Sequence, residues 1–138
     1  MYIEWQKIYN LCEENNKLSG MKFEDIVLEY LSEYYPQYMW EKTQASWDDN
    51  RDFISLILDN IYAEAKYKKN SSALRKQDID PTMMSGLLNG NIEIIYFITN
   101  GYMPDTIMQR IKQASLVYSF NIICITRLQL EYWLLLRP

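Results

Sequence analysis

The stretch RDFISLILDNIYAEAKYKK, residues 51–69, reads as two strands around a tight turn, and the second carries Glu64 and Lys66 where a buried strand ordinarily has Val or Ile. Side chains of a strand alternate between its faces, so Tyr62, Glu64 and Lys66 share one face and Ala63, Ala65 and Tyr67 take the other. A carboxylate and an ammonium are thus aimed the same way, one pleat apart. The chain has no histidine. That removes serine–histidine and cysteine–histidine nucleophilic catalysis, histidine acid–base chemistry and the common catalytic zinc sites. Any catalysis falls to carboxylates and lysines, and such a hard, oxygen-rich donor set suits Mg²⁺ or Mn²⁺.

The elements that must position these groups are those of one α/β domain, 1–138. A length of 138 residues, 49% hydrophobic and 23% charged, is ordinary globular composition. The longest apolar runs, YWLLL and IIYFI, fall far short of the roughly 20 residues that span a bilayer. The opening MYIEWQKIYN lacks the basic-then-apolar pattern of a signal peptide. A cytoplasmic protein without a membrane segment is expected. Cys12 and Cys124 lie far apart without Cys-x-x-Cys spacing, which predicts two buried thiols in a reducing compartment.

Apolar spacing predicts a helix over 2–14 and a second over about 21–35, ended by Pro36. YMWEKTQ at 38–44, RDFISLIL at 51–58 and IYAEAKY at 61–67 read as three antiparallel strands in a meander, with SWDDN as a loop between the first two. Then follow a helix over 72–88, a buried strand NIEIIYFIT, a turn NGYMP with Pro104 at the first helical position, and a helix to about 118. FNIICIT is the fifth strand and RLQLEYWLLL the closing helix. The expected fold is a central mixed five-stranded sheet, the meander plus two further strands, flanked by helices.

This order of elements resembles the PD-(D/E)XK nuclease superfamily, and within it the Mrr-like restriction endonuclease domain. The matching stretches are FEDIVLEYL, WEKTQASWDDNRDF, YAEAKYKK, IIYFITNGYMPDTIMQRI and IICITRLQL, which cover most of residues 21–131. The resemblance implies a restriction-endonuclease-like fold with Asp52 as the metal-binding aspartate, because DDNRD stands where the family usually has Asp-Gly-Gly-x-Asp. It matches Glu64 and Lys66 to the (D/E)-x-K signature and Glu24 to the acidic residue often found on the first core helix. Asp49 and Asn50 depart from the usual glycines, and Glu-x-Lys replaces the Gln-x-Lys of many Mrr relatives. TNG at 99–101 resembles a recurrent family turn with a structural role.

Strand geometry constrains this assignment, because Asp52 must reach the face of Glu64 and Lys66. A two-residue loop at Asp59-Asn60 puts it on the wrong face. A three-residue loop at 58–60 sets Asp52 opposite Lys66 and diagonal to Glu64, with Asn60 suited to the left-handed position that closes such loops. The site therefore requires an odd loop or a bulge. By itself, one Glu-x-Lys reads as a surface ion pair on an exposed hairpin; the element order and the flanking matches favour catalysis.

The chemistry that the resemblance implies is phosphodiester hydrolysis. A divalent ion on Asp52, Glu64 and the Ala65 carbonyl neutralises charge and activates water, Glu24 faces the site directly or through a metal-bound water, and Lys66 stabilises the developing oxyanion. Net charge is −4, yet residues 1–64 carry 13 acidic and 5 basic side chains against 5 and 9 in 65–138. Lys66, Lys68, Lys69, Arg75 and Lys76 form a cationic run just past the site, suited to phosphates. Trp47 is the aromatic best placed to contact a base or sugar, with packing beneath its loop an equal alternative. The expected activity is a Mg²⁺- or Mn²⁺-dependent endonuclease acting on DNA, RNA remaining open, as a dimer or higher oligomer. The chain reads as the amino-terminal effector of a longer protein with a sensor, NTPase or recognition region, in a setting such as bacterial anti-phage defence. An inactive nuclease-fold binding or oligomerisation module and a junction resolvase-like nuclease are the alternatives.

Overall fold

The segment Ile61–Lys66 is β3, and up to Ala63 it is apolar on both faces and buried. A strand of that composition belongs in the middle of a sheet covered on both sides. In the computed structural model, which describes residues 16–43 and 52–136, it is indeed the central strand. The helix expected over 2–14, with Cys12, and the loop carrying Trp47, Asp49 and Asn50 lie outside the described residues.

β2 (Phe53–Ser55) pairs antiparallel with β3, and β1 (Trp40–Lys42) pairs antiparallel with β2. On the other side β4 (Ile94–Thr99) and β5 (Asn121–Ile125) continue the sheet in parallel, giving the order β1-β2-β3-β4-β5. This is the expected α/β architecture of a meander plus two further strands. The helices are α1 (Asn16–Tyr34), α2 (Lys76–Leu88), α3 (Asp105–Val117) and α4 (Arg127–Leu136). Crossovers of one hand, β3–α2–β4 and β4–α3–β5, put α2 and α3 on one face. There Ile79, Met83, Ile107 and Ile111 pack with Tyr62, Ile95, Phe97 and Ile122. α1 and α4 cover the other face, where Phe23, Val27, Leu31, Leu130 and Trp133 pack with Ile61, Ala63, Tyr96 and Ile98.

The β2–β3 connection departs from the expected three residues. Ser55 Oγ accepts from the amides of Ile57 (3.2 Å) and Leu58 (3.1 Å), which ends the strand early and opens a connection over residues 56–60. Its odd length preserves the required face. The register, Phe53 with Ala63 and Ile54 with Tyr62, brings Asp52 level with Glu64 and not with Lys66. Asn60 is not left-handed; among described residues without a glycine side chain, positive φ occurs at Met39, Asn70 and Ser71. Asn60 instead ties the connection to the start of β4, its side-chain amide donating to Glu93 Oε2 (2.9 Å) and its carbonyl accepting from Glu93 N (2.8 Å). α2 begins at Lys76 and not at 72, because residues 72–74 run extended beside Tyr102: Leu74 N donates to Tyr102 O (2.8 Å) and Tyr102 N to Ser72 O (3.1 Å). Among the described residues no helix is long and apolar enough to cross a membrane.

Gly86 lets α2 approach the sheet end closely. A Cβ there would stand 2.7 to 2.9 Å from ring atoms of the buried Phe120. The helix-propensity gain of Gly86→Ala, about 1 kcal/mol, is smaller than the ~1–3 kcal/mol that overpacking a core costs. Gly86→Ala is therefore expected to lower stability in urea unfolding, and Phe120→Leu in the same chain to recover part of the loss. A net gain from Gly86→Ala alone contradicts this packing.

Candidate active site

Three successive same-face residues of β3 meet three residues of α2. The helix runs back along the strand, so residues one turn apart on its inner stripe face residues two apart on the strand, with rises of about 5.4 and 6.7 Å. Tyr62 Oη bonds Ser85 Oγ at 3.0 Å. Thr82 Oγ1 donates to Glu64 Oε2. Lys66 Nζ stands 3.5 Å from Asp78 Oδ1. The face shared by Tyr62, Glu64 and Lys66 is thus a polar ladder set between sheet and helix.

Glu64 is 7% exposed, and burial pushes its carboxyl up to about 8. The Thr82 hydroxyl and the Lys66 charge favour the carboxylate, while the Asp52 charge opposes it. Asp52 therefore lies within electrostatic reach of Glu64. Its placement follows from the end of β2. The Asp52 amide donates to Ala63 O (3.0 Å), and Asp52 Oδ2 accepts from Ala65 N (2.8 Å), so the side chain continues the ladder where the strand stops. In an extended strand a residue's N–H and C=O point to the same side. The Ala65 carbonyl accordingly faces the edge occupied by Asp52.

Beyond β3 the TNG turn holds the chain that carries the lysines, as its structural reading predicts. Thr99 Oγ1 donates to Lys66 O (2.7 Å) and accepts from Gly101 N (2.9 Å). Buried Asn100 clamps Lys68, accepting from its amide (2.8 Å) and donating to its carbonyl (3.0 Å). Lys68 Nζ then reaches Asp78 Oδ2 at 3.0 Å. Of the cationic run, Lys66 and Lys68 converge on Asp78, while Lys69, Arg75 and Lys76 are exposed.

Glu24 is partly buried on α1, the helix that covers the opposite face. Among the described residues no three acidic, cysteine or histidine side chains converge as a metal-holding cluster. The remaining donors, Asp52, Glu64 and the Ala65 carbonyl, fit a hard divalent cation by chemistry: all are oxygens, and the mutual repulsion that helps raise Glu64 is what a cation relieves. Cys124 is half-buried on β5, and burial raises its thiol to about 12, which leaves it protonated and unreactive.

Sequence reasoning passed over Asp78, Thr82 and Ser85. The three stand at i, i+4 and i+7, a polar stripe on a helix whose neighbouring Ile79 and Met83 face the core, and that spacing is the signal that reveals them.

The folded pKa of Glu64, about 8, exceeds the ordinary 4.5. The folded state therefore holds the proton more tightly, and this contribution to stability is full below pH 4.5 and is lost as pH rises toward 8. In metal-free buffer the melting temperature is expected to fall across that window. Glu64→Gln keeps an acceptor for Thr82 and removes the charge, so it is expected to raise the melting temperature at pH 8 by several degrees and flatten the profile. Parallel wild-type and variant profiles contradict the burial of Glu64. The chain matches no protein-family model and no curated protein in sequence.

Proposed function

We propose that the chain is a metal-dependent endonuclease domain that hydrolyses phosphodiester bonds in DNA. What supports this most is the shared edge of Asp52, Glu64 and Lys66, with the Ala65 amide on the Asp52 carboxylate and its carbonyl facing the same side. Asp52, Glu64 and the Ala65 carbonyl would hold a divalent cation, which would supply charge neutralisation and water activation. Lys66 sits at ion-pair distance from Asp78 and keeps ammonium donors to orient the attacking water and receive the developing oxyanion. Exposed Lys69, Arg75 and Lys76 contact phosphates on either side of the scissile bond. One site cuts one strand, so a double-strand break takes two copies around the duplex or two nicks.

One observation favours the second reading, an inactive nuclease-fold binding module. Each polar residue of the β3 ladder has a partner on α2, as a purely structural interface would also require.

Supercoiled plasmid with Mg²⁺ or Mn²⁺ separates the two. Cleavage is expected with either metal and not in EDTA. Asp52→Asn and Glu64→Gln are expected to abolish it and to weaken metal binding in calorimetry. Lys66→Ala is expected to bind metal normally and lose about 10²–10³ in rate. If all three variants cut like wild type, the ladder is structural and the nuclease reading fails.

DNA affinity measured against salt tests the outer cations separately. Lys69→Ala and Lys76→Ala are each expected to reduce the slope of log K against log salt by about one without changing the chemical step. Unchanged slopes remove these residues from the interface.

A further inference from the structure

We propose that Asp78 is the positioning residue that holds the Lys66 ammonium at the active site, an inference that rests on the nuclease reading above. Lys66 ends on a flexible four-carbon stem and is 38% exposed, so nothing in its own strand fixes where the charge sits. Left alone, the ammonium divides its time between the neighbouring Glu64 and solvent. Asp78, 6% exposed at the start of α2, offers it a fixed anion.

The two oxygens of Asp78 are used differently. Oδ2 accepts from the Arg75 backbone N–H (2.8 Å) and from Lys68 Nζ (3.0 Å), while Oδ1 faces Lys66 Nζ (3.5 Å). Closing the capping box from the N3 position takes one acceptor oxygen, which the amide of Asn or Gln also supplies. The second oxygen and the negative charge exceed that requirement and point at Lys66. Asp78 is itself braced. Lys68, 13% exposed, has its backbone clamped on both sides by Asn100, and its ammonium reaches Asp78 from that anchored position. Burial alone raises a carboxyl, but here the Arg75 amide and the Lys68 and Lys66 charges outweigh it and keep Asp78 ionised. The chain of restraint runs from Asn100 through Lys68 and Asp78 to Lys66. Two lysines on one carboxylate leave one positive charge in surplus, which suits a phosphodiester neighbour.

Asp78→Asn tests this in the intact chain, because the amide oxygen retains the contact with Arg75 N and only the charge is lost. Melting temperature, Mg²⁺ affinity and KM for plasmid are expected to stay near wild type. kcat for nicking is expected to fall about 10–100-fold, the range seen when an outer partner orienting a site group is removed. Asp78→Gln, which also supplies an acceptor at the N3 position of a capping box, is the second variant should the first not fold, with the same expected loss. An unchanged kcat, or a loss confined to KM or to stability, overturns the proposal.

A second readout needs no cleavage. With an amine-acylating reagent and peptide mass spectrometry on the metal-free chain, Lys66 is expected to label severalfold faster in Asp78→Asn than in wild type, with exposed Lys112 on α3 unchanged. Should wild type not cut DNA with either metal, the nuclease reading fails, and this labelling alone decides whether Asp78 holds Lys66. Equal Lys66 labelling in the two chains overturns it.

Discussion

A carboxylate buried in the central strand of a sheet is the constraint on which the rest of this site depends. Desolvating Glu64 is costly, and the fold meets that cost with a hydroxyl from α2 and a lysine two residues along, while Asp52 adds opposing charge. An apolar side chain at this position avoids that cost, since the core on this face is built of Ile79, Met83, Ile95 and Phe97. The ladder Tyr62–Ser85, Glu64–Thr82, Lys66–Asp78 is the framework that makes Glu64 tolerable beside a second carboxylate.

Two irregularities give that framework its precision. β2 stops at Phe53 on the side of the site, and the Asp52 side chain takes over the hydrogen bond that a further strand residue would have made with Ala65. The carboxylate is thereby fixed by the sheet itself. On the other side of β3, the TNG turn after β4 binds the backbone of Lys66 and Lys68 and supports the cations as the β2 side supports Asp52.

The close approach at Gly101 belongs to the same support. A Cβ there would stand 2.8 Å from Lys68 Cγ and 3.0 Å from Ser72 O, so the backbone of this turn presses directly against the lysine stem. Packing of that kind restricts rotamers and leaves Lys68 few ways to reach any anion other than Asp78.

Much of this was legible in the chain. Period-two alternation in YAEAKY put Glu64 and Lys66 on one face, the lack of histidine narrowed the chemistry, and the order of apolar segments specified a meander followed by two further strands. These are local or periodic properties, set by backbone geometry and burial. The length of the β2–β3 connection was not legible, because it was decided by Ser55 bonding two downstream amides and by Asn60 bonding Glu93 across the sheet. Which face of the sheet the helix carrying Glu24 covers was likewise decided only by packing. Asp78 was passed over in the sequence; its meeting with Lys66 and Lys68 exists only once α2 lies back along β3. The sequence by itself determined which residue types share a strand face and what chemistry they can perform. The tertiary structure decided which partners hold them, because those contacts join segments whose spacing along the chain carries no record of their distance in space.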